Sequence, residues 1–246
     1  MKIIAAILLL LLFFGCQGEK SSSTILTYES GKVRGQGKVS DTLKIGAWVF
    51  WYENGIVRDT SNWTNDTLDG VFVSFHNNGR KASAGEYEMG KRTGEWKWWD
   101  DKGHLQEWSF WEAGSPDGFA TTYYENGIVR TEGEWLYGAL DGELNMYDIE
   151  GTLTEITKYH NGLKEGEARL FYPNGQLEIK GQFIGDKQEG LFTTYYKNGT
   201  LKSEISWSKG FMEGESVEYD SVGIKIGWGT YLNGSKTEDW RYEATN

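Results

Sequence analysis

A glycine returns every 24 residues along this chain, at Gly46, Gly70, Gly94, Gly118, Gly142, Gly166, Gly190 and Gly214. A second series follows nine residues behind it, at Gly55, Gly79, Gly103, Gly127, Gly151, Gly175, Gly199 and Gly223, and Gly31 extends that series back by one. Two series held in register without insertion or deletion require stacked copies of one small unit, because a copy cannot change length without breaking its neighbours. The stretch Gly118 to Asp141, GFATTYYENGIVRTEGEWLYGALD, shows the unit in full. Each copy holds two turn signals. The first is Asn-Gly, as at Asn54-Gly55, Asn78-Gly79, Asn126-Gly127, Asn174-Gly175 and Asn198-Gly199, and it predicts a type I′ turn because both residues tolerate positive φ. The second lies eleven residues on, at Gly90, Gly114, Gly138, Asn161-Gly162, Gly210 and Asn233-Gly234. Val, Ile, Thr, Tyr, Trp and Phe fill the stretches between, so each copy reads as one antiparallel hairpin. The expected fold is all-β: an elongated, curved antiparallel meander of 24-residue hairpins, with no helix after the first 15 residues.

Counting outward from the Asn-Gly tip places Tyr124 opposite Val129 and Ala120 opposite Gly133. One face then collects Trp48, Phe50, Tyr52, Val57 and Trp63 in one copy and Phe192, Tyr196, Leu201 and Trp207 in another, and is the expected core face. Small residues such as Ser61, Gly85 and Ser109 fall across from Trp48, Phe72 and Trp96, where a ring can cover a cross-strand glycine. The opposite face carries one aromatic per copy: Trp51, Phe75, Trp99, Tyr123, Tyr147, Phe171, Tyr195 and Tyr219. Equivalent residues there stand two strands, about 9.6 Å, apart. The terminal copies are atypical, which gives a degenerate first copy over 22–45, eight full copies over 46–237 and a partial last copy over 238–246.

Ahead of the repeats, Met1-Lys2 precedes an apolar run from Ile3 to Phe14 that is too short to span a bilayer, where roughly 20 residues are needed. Gly15-Cys16 closes the run and resembles a bacterial lipobox, so the expected organisation is a lipoprotein signal peptide at 1–15, a flexible lipid-anchored tether at 16–27 and a single repeat domain at 28–246. An ordinary cleaved signal that happens to contain a cysteine is the plainer alternative. Cys16 is the lipidation candidate and the only cysteine, which excludes an intrachain disulfide. By resemblance to lipoprotein sorting rules, Gln17 after the cysteine points to the outer membrane. The formal net charge of −11, or −12 once Lys2 is removed, disfavours nucleic acid and anionic headgroups as partners. Membrane contact is expected through the N-terminal lipid alone.

The chemistry-bearing residues are sparse. His76, His104 and His160 occupy three different positions of the repeat, without metal or base spacing, so no catalytic residue, metal or cofactor is expected. An acidic row before the opening glycines, at Asp69, Asp117, Asp141, Glu165, Glu189 and Glu213, is spaced too widely to share a calcium ion and reads as a solvated edge. Trp96, Trp98, Trp99, Trp108 and Trp111 concentrate in the third copy. Counting assigns Trp96, Trp98 and Trp111 to the core face, which leaves Trp99 and Trp108 as contact candidates beside Trp51, Tyr123, Tyr147 and Tyr195. The alternative is that this is simply the best-packed stretch of the array.

Tyr123-Tyr124-Glu125-Asn126-Gly127, Phe171-Tyr172-Pro173-Asn174-Gly175 and Tyr195-Tyr196-Lys197-Asn198-Gly199 carry the first half of a pattern completed by Tyr159-His160-Asn161-Gly162-Leu163-Lys164-Glu165-Gly166. This resembles MORN repeats over residues 28 to 242, in the bacterial variant known from YwqK-like antitoxins. The resemblance is specific for the repeat type and does not fix the activity. The expectation of no catalysis comes from the lack of catalytic motifs. Three readings follow: a lipid-anchored envelope scaffold that binds another envelope or secreted protein or a glycan; an antitoxin or immunity-type protein that blocks a toxin directly; and, weakest, a glycan-active enzyme using carboxylate pairs.

Overall fold

The computed structural model describes residues 21–243. The signal peptide, Cys16 and the first residues of the expected tether lie outside them. The described residues contain 21 antiparallel strands in one sheet and no helix. Successive strands pair in chain order, from Ser21–Thr27 against Val33–Ser40 to Lys225–Leu232 against Arg241–Tyr242, so the sheet is an open meander with two edges.

One copy divides into a nine-residue strand, a five-residue tip, an eight-residue strand and a two-residue turn, as in Thr67–Phe75, residues 76–80, Lys81–Glu88 and Met89-Gly90. The type I′ turn sits at the two-residue end: Met89 and Gly90 have φ of 46° and 81°. The Asn-Gly tip is built differently. The Gly127 N–H donates to Tyr124 O at 2.9 Å and the Tyr124 N–H to Ile128 O at 2.8 Å, and of Asn126 and Gly127 only the glycine has positive φ, 83°. This is a type I turn closed by a left-handed glycine, whose twist is restored by a bulge in the returning strand. The bulge corrects the register near the tip. Val129 pairs with Tyr123, not Tyr124, and beyond a shift before Thr131 the expected pairing of Ala120 with Gly133 is recovered.

The asparagine has a different task from the one its turn propensity suggests. Asn126 Oδ1 accepts the Ile128 N–H at 3.0 Å while Nδ2 donates to Ile149 O in the next copy at 2.9 Å. Asn54, Asn78, Asn174 and Asn198 reach the carbonyls of Asn77, Asp101, Lys197 and Ser221 in the same way. Beside them the hydroxyls of Tyr28, Tyr52, Tyr124, Tyr172 and Tyr196 each donate to a carbonyl 23 residues on, at 2.7–2.8 Å. At three of the four tips that lack asparagine, an aspartate replaces the tyrosine and closes its own turn: Asp100, Asp148 and Asp220 each accept two backbone N–H groups through Oδ1.

At the opposite end the acidic row is occupied. Asp117, Asp141, Glu165, Glu189 and Glu213 accept the N–H of Tyr137, Asn161, Gly185, Lys209 and Asn233, each the first residue of the next copy's type I′ turn, at 2.8–3.1 Å. What reads as a solvated edge is a line of caps on backbone donors. The opening glycine beside each acid also has positive φ, 109° at Gly70, where residues 69–71 bulge against Asn62.

The core lies on the expected face, with Trp48 and Trp96 each 1% exposed, but the bulge near the tip moves Val57 and Leu201 off it, opposite Trp51 and Tyr195 of the outer face. The covering ring, however, comes from the following copy. A Cβ on Gly85 would stand 2.3 Å from Trp96, and Gly37 and Gly181 are covered likewise by Trp48 and Phe192. The covered positions alternate. Ser61, Ser109 and Thr157 in odd copies follow an acid at Asp59, Glu107 and Glu155; Gly85, Gly133 and Gly181 in even copies do not. In the odd copies the hydroxyl donates to that carboxylate, at 3.3, 2.9 and 2.7 Å, and Trp63 and Trp111 donate Nε1 to Ser61 and Ser109 at 2.9 Å. The packing unit over these copies is therefore two hairpins, 48 residues.

The ends depart from the sequence reading. Residues 21–27, expected in the tether, form strand Ser21–Thr27, and the first copy is a regular hairpin despite its degenerate sequence. At the other end Trp240 takes the covering position over Gly229, with its ring 5.1 Å from Tyr231.

Candidate functional site

The outer face holds all six expected contact residues. Trp51, Trp99, Trp108, Tyr123, Tyr147 and Tyr195 are each half-buried, wedged between strands rather than standing free. Tyr147 is the most constrained. Its hydroxyl donates to Glu132 Oε1 at 2.5 Å, and burial, that hydrogen bond and the glutamate charge push its pKa up to about 12. Trp99 lies under Lys81, whose Nζ is 5.2 Å from the ring centroid, and Trp108 lies under Lys97 at 5.5 Å.

Trp99 and Trp108 come from strands Lys91–Trp99 and Leu105–Glu112, and the second of these also carries Phe110. The Trp108 and Phe110 centroids are 5.9 Å apart. Phe110 is 36% exposed, opposite the bulge that ends at Phe119, itself 44% exposed. Trp108 Nε1 is buried without a hydrogen-bond partner. Phe110 and Phe119 escape the sequence reading, which ranks the regular aromatic of each copy above departures from it. The signal is nevertheless present. The position of Phe110 holds Asn62, Glu86, Glu134, Lys158, Gln182, Ser206 and Thr230 in the other copies, and that of Phe119 holds glutamate in four of them. The Phe119 position is apolar elsewhere too, at Ala47, Val71 and Leu191, so the departure is Phe110, a phenylalanine in contact with water where every other full copy is polar, with a second exposed ring on the next strand.

On the core face a cavity of about 350 Å³ opens above Ala168, at a position that holds tryptophan, phenylalanine or leucine in five of the eight full copies. Its walls include Ile179, Phe183, Phe192 and Trp207, and Glu155 and Lys164 stand on its rim 3.8 Å apart. No group of three or more histidine, cysteine or acidic side chains is gathered for a metal ion among the described residues. The histidines are placed apart. His76 Nε2 lies 2.8 Å from Trp99 O in the tyrosine ladder, while His104 and His160 rest on Asp100 and Asp141.

No curated protein matches this chain. Among solved structures it is similar to the crystal structure of TcdB2-TccC3 without hypervariable C-terminal region, at 11% identity over 93% of this chain and 16% of that one, with a TM-score of 0.22. It is similar also to TcdB2-TccC3-Cdc42, at 12% identity over 87% of this chain and 14% of that one, with a TM-score of 0.16. The chain thus spans about a sixth of the length of these structures. The family model described as MORN repeat variant matches at residues 92–112, 164–184 and 188–209, and so marks the third, sixth and seventh hairpins as repeats of that kind.

Proposed function

We propose that this chain is a non-enzymatic, lipid-anchored envelope scaffold that holds a partner polypeptide on the outer face of its third and fourth copies. The observation that carries this reading is the pair Phe110 and Phe119, both exposed on neighbouring strands, with Phe110 at a position that is polar in every other full copy. Trp108, with its ring centroid 5.9 Å from that of Phe110, forms a half-buried floor beside them. Glu134, which pairs with Phe119, favours a partner that sets a basic group beside its apolar anchors, while Glu95, opposite Phe110, is held by Lys97 at 2.9 Å.

Affinity capture from the native envelope tests this. Wild-type protein should retain one defined polypeptide that Phe110→Glu with Phe119→Glu fails to retain, with circular dichroism unchanged. A toxin as that polypeptide would make the chain an antitoxin. Binding of a purified glycan that disappears on Trp99→Ala and Trp108→Ala would move the same face to sugar recognition. The anchor is tested separately, by incorporation of labelled palmitate that Cys16→Ser abolishes and by recovery in outer-membrane fractions.

A further inference from the structure

The two edges of the sheet are finished differently. At the C-terminal edge the outer side of strand Lys225–Leu232 is covered by two short pieces, Ser235–Lys236 and Arg241–Tyr242, and Glu238, Asp239, Arg241 and Glu243 surround them with charge. Short, interrupted, charged edges are how sheets resist further pairing. At the N-terminal edge Ser21–Thr27 pairs with Val33–Ser40 through seven consecutive residues, and among the described residues nothing pairs with its other side. This strand contains no charge and no proline, and its one irregularity is at Leu26/Thr27. Ser21, Ser22, Ser23, Ile25 and Thr27 are exposed, Ile25 by 58%. In a chain of net charge −11, an uncharged edge of this length is a ready template for another strand.

We propose that this edge is a self-association surface, on which a second copy of the chain adds its own Ser21–Thr27 antiparallel across a two-fold axis. The occupant follows from the asymmetry of the ends. Head-to-tail addition would need the C-terminal edge to receive a strand, and that edge offers only two-residue pieces in a charged setting. The open edge can meet its own copy, and a contact made by identical surfaces about a two-fold axis closes at the dimer instead of growing into a filament. Uncharged facing strands carry no like-charge penalty across the seam, which most surfaces of so acidic a chain would impose. Main-chain hydrogen bonds would then continue one sheet through both molecules over about 24 Å of strand. This surface is separate from the one around Phe110 and does not depend on it.

Sedimentation of the full chain in detergent micelles across the micromolar range tests the proposal, with the detergent contribution matched out by solvent density. Twice the mass of one chain is expected, together with slowed hydrogen exchange at residues 21–27 as concentration rises. Ser23→Lys with Ile25→Lys places four lysines along the seam and should weaken association by about ten-fold or more. A wild-type chain that stays monomeric overturns the proposal. So does a dimer that forms without protecting residues 21–27, a readout on unaltered protein that needs no variant to fold.

Discussion

At the scale of single residues, two kinds of glycine do different work, and substitution separates them. Gly85 lies under Trp96, and an added Cβ would meet three ring atoms at 2.3–2.6 Å. Gly85→Ala must therefore lift an indole that is 1% exposed and whose Nε1 donates to Glu86 O at 3.1 Å, at a cost of about 1–3 kcal/mol. Gly127 has open space around it and a φ of 83°, so Gly127→Ala costs about 1 kcal/mol through the backbone alone. Denaturation midpoints of the two variants should fall in that order, and Gly85→Ala alone should change tryptophan fluorescence. Tyr147 gives a pH signature. Its folded pKa of about 12 lies above the ordinary tyrosine value near 10, so the native state holds this proton more tightly than the unfolded chain does. The stabilisation is complete below pH ~10 and is lost as pH rises towards 12. Tyr147→Phe should flatten the decline of thermal stability across that window, and an unchanged slope would mean that the hydroxyl and Glu132 are not coupled in solution.

At the scale of the hairpin, an acid beside the opening glycine, present in six of the eight full copies, caps the next copy's turn. Glu189 Oε2 accepts the Lys209 N–H at 2.8 Å, and Lys209 holds a left-handed φ of 52° that a lysine does not choose unaided. Glu189→Ala should cost about 1 kcal/mol and speed hydrogen exchange at Lys209, whereas Glu189→Gln retains an acceptor and should lose less. Equal exchange at Lys209 in both variants and the wild type would show that the turn holds without its cap. The hairpin itself was legible in the sequence because glycines at a fixed interval and β-forming residues between them leave little else to build. The division of labour between its ends was not. Asn-Gly suits a type I′ turn in isolation, but Asn126 has an Oδ1 that closes its own turn and an Nδ2 that reaches Ile149 O, and only the stacked neighbour supplies the second partner. The same holds for the acids, whose backbone partners lie 20 residues away. Phe110 and Phe119 were hidden for the opposite reason: they break the repeat, and a reading tuned to regularity passes over them.

At the scale of the whole molecule, the 24-residue period of the sequence and the period of the packing differ by a factor of two. Trp48, Trp96, Leu144 and Phe192 each open an odd copy and lie over Gly37, Gly85, Gly133 and Gly181 at the close of the copy before. The even copies place Phe72, Ala120, Ala168 and Ser216 at the equivalent position. Neighbouring copies are thus not interchangeable, although all of them fold as the same hairpin. Deleting residues 94–117 removes one odd copy and brings Ala120 over Gly85, which leaves the glycine without a covering ring. Deleting residues 94–141 removes twice as much chain but brings Leu144 over Gly85, a match of the kind Leu144 already makes with Gly133. In a repeat array where stability sums over copies and their interfaces, loss of two copies should be worse than loss of one. The alternation predicts the reverse. The shorter protein should have the higher thermal midpoint, and hydrogen exchange over residues 83–87 should be fast in the single deletion and near wild-type in the double. Midpoints ordered by chain length would return the packing unit to 24 residues and reduce the alternation to coincidence.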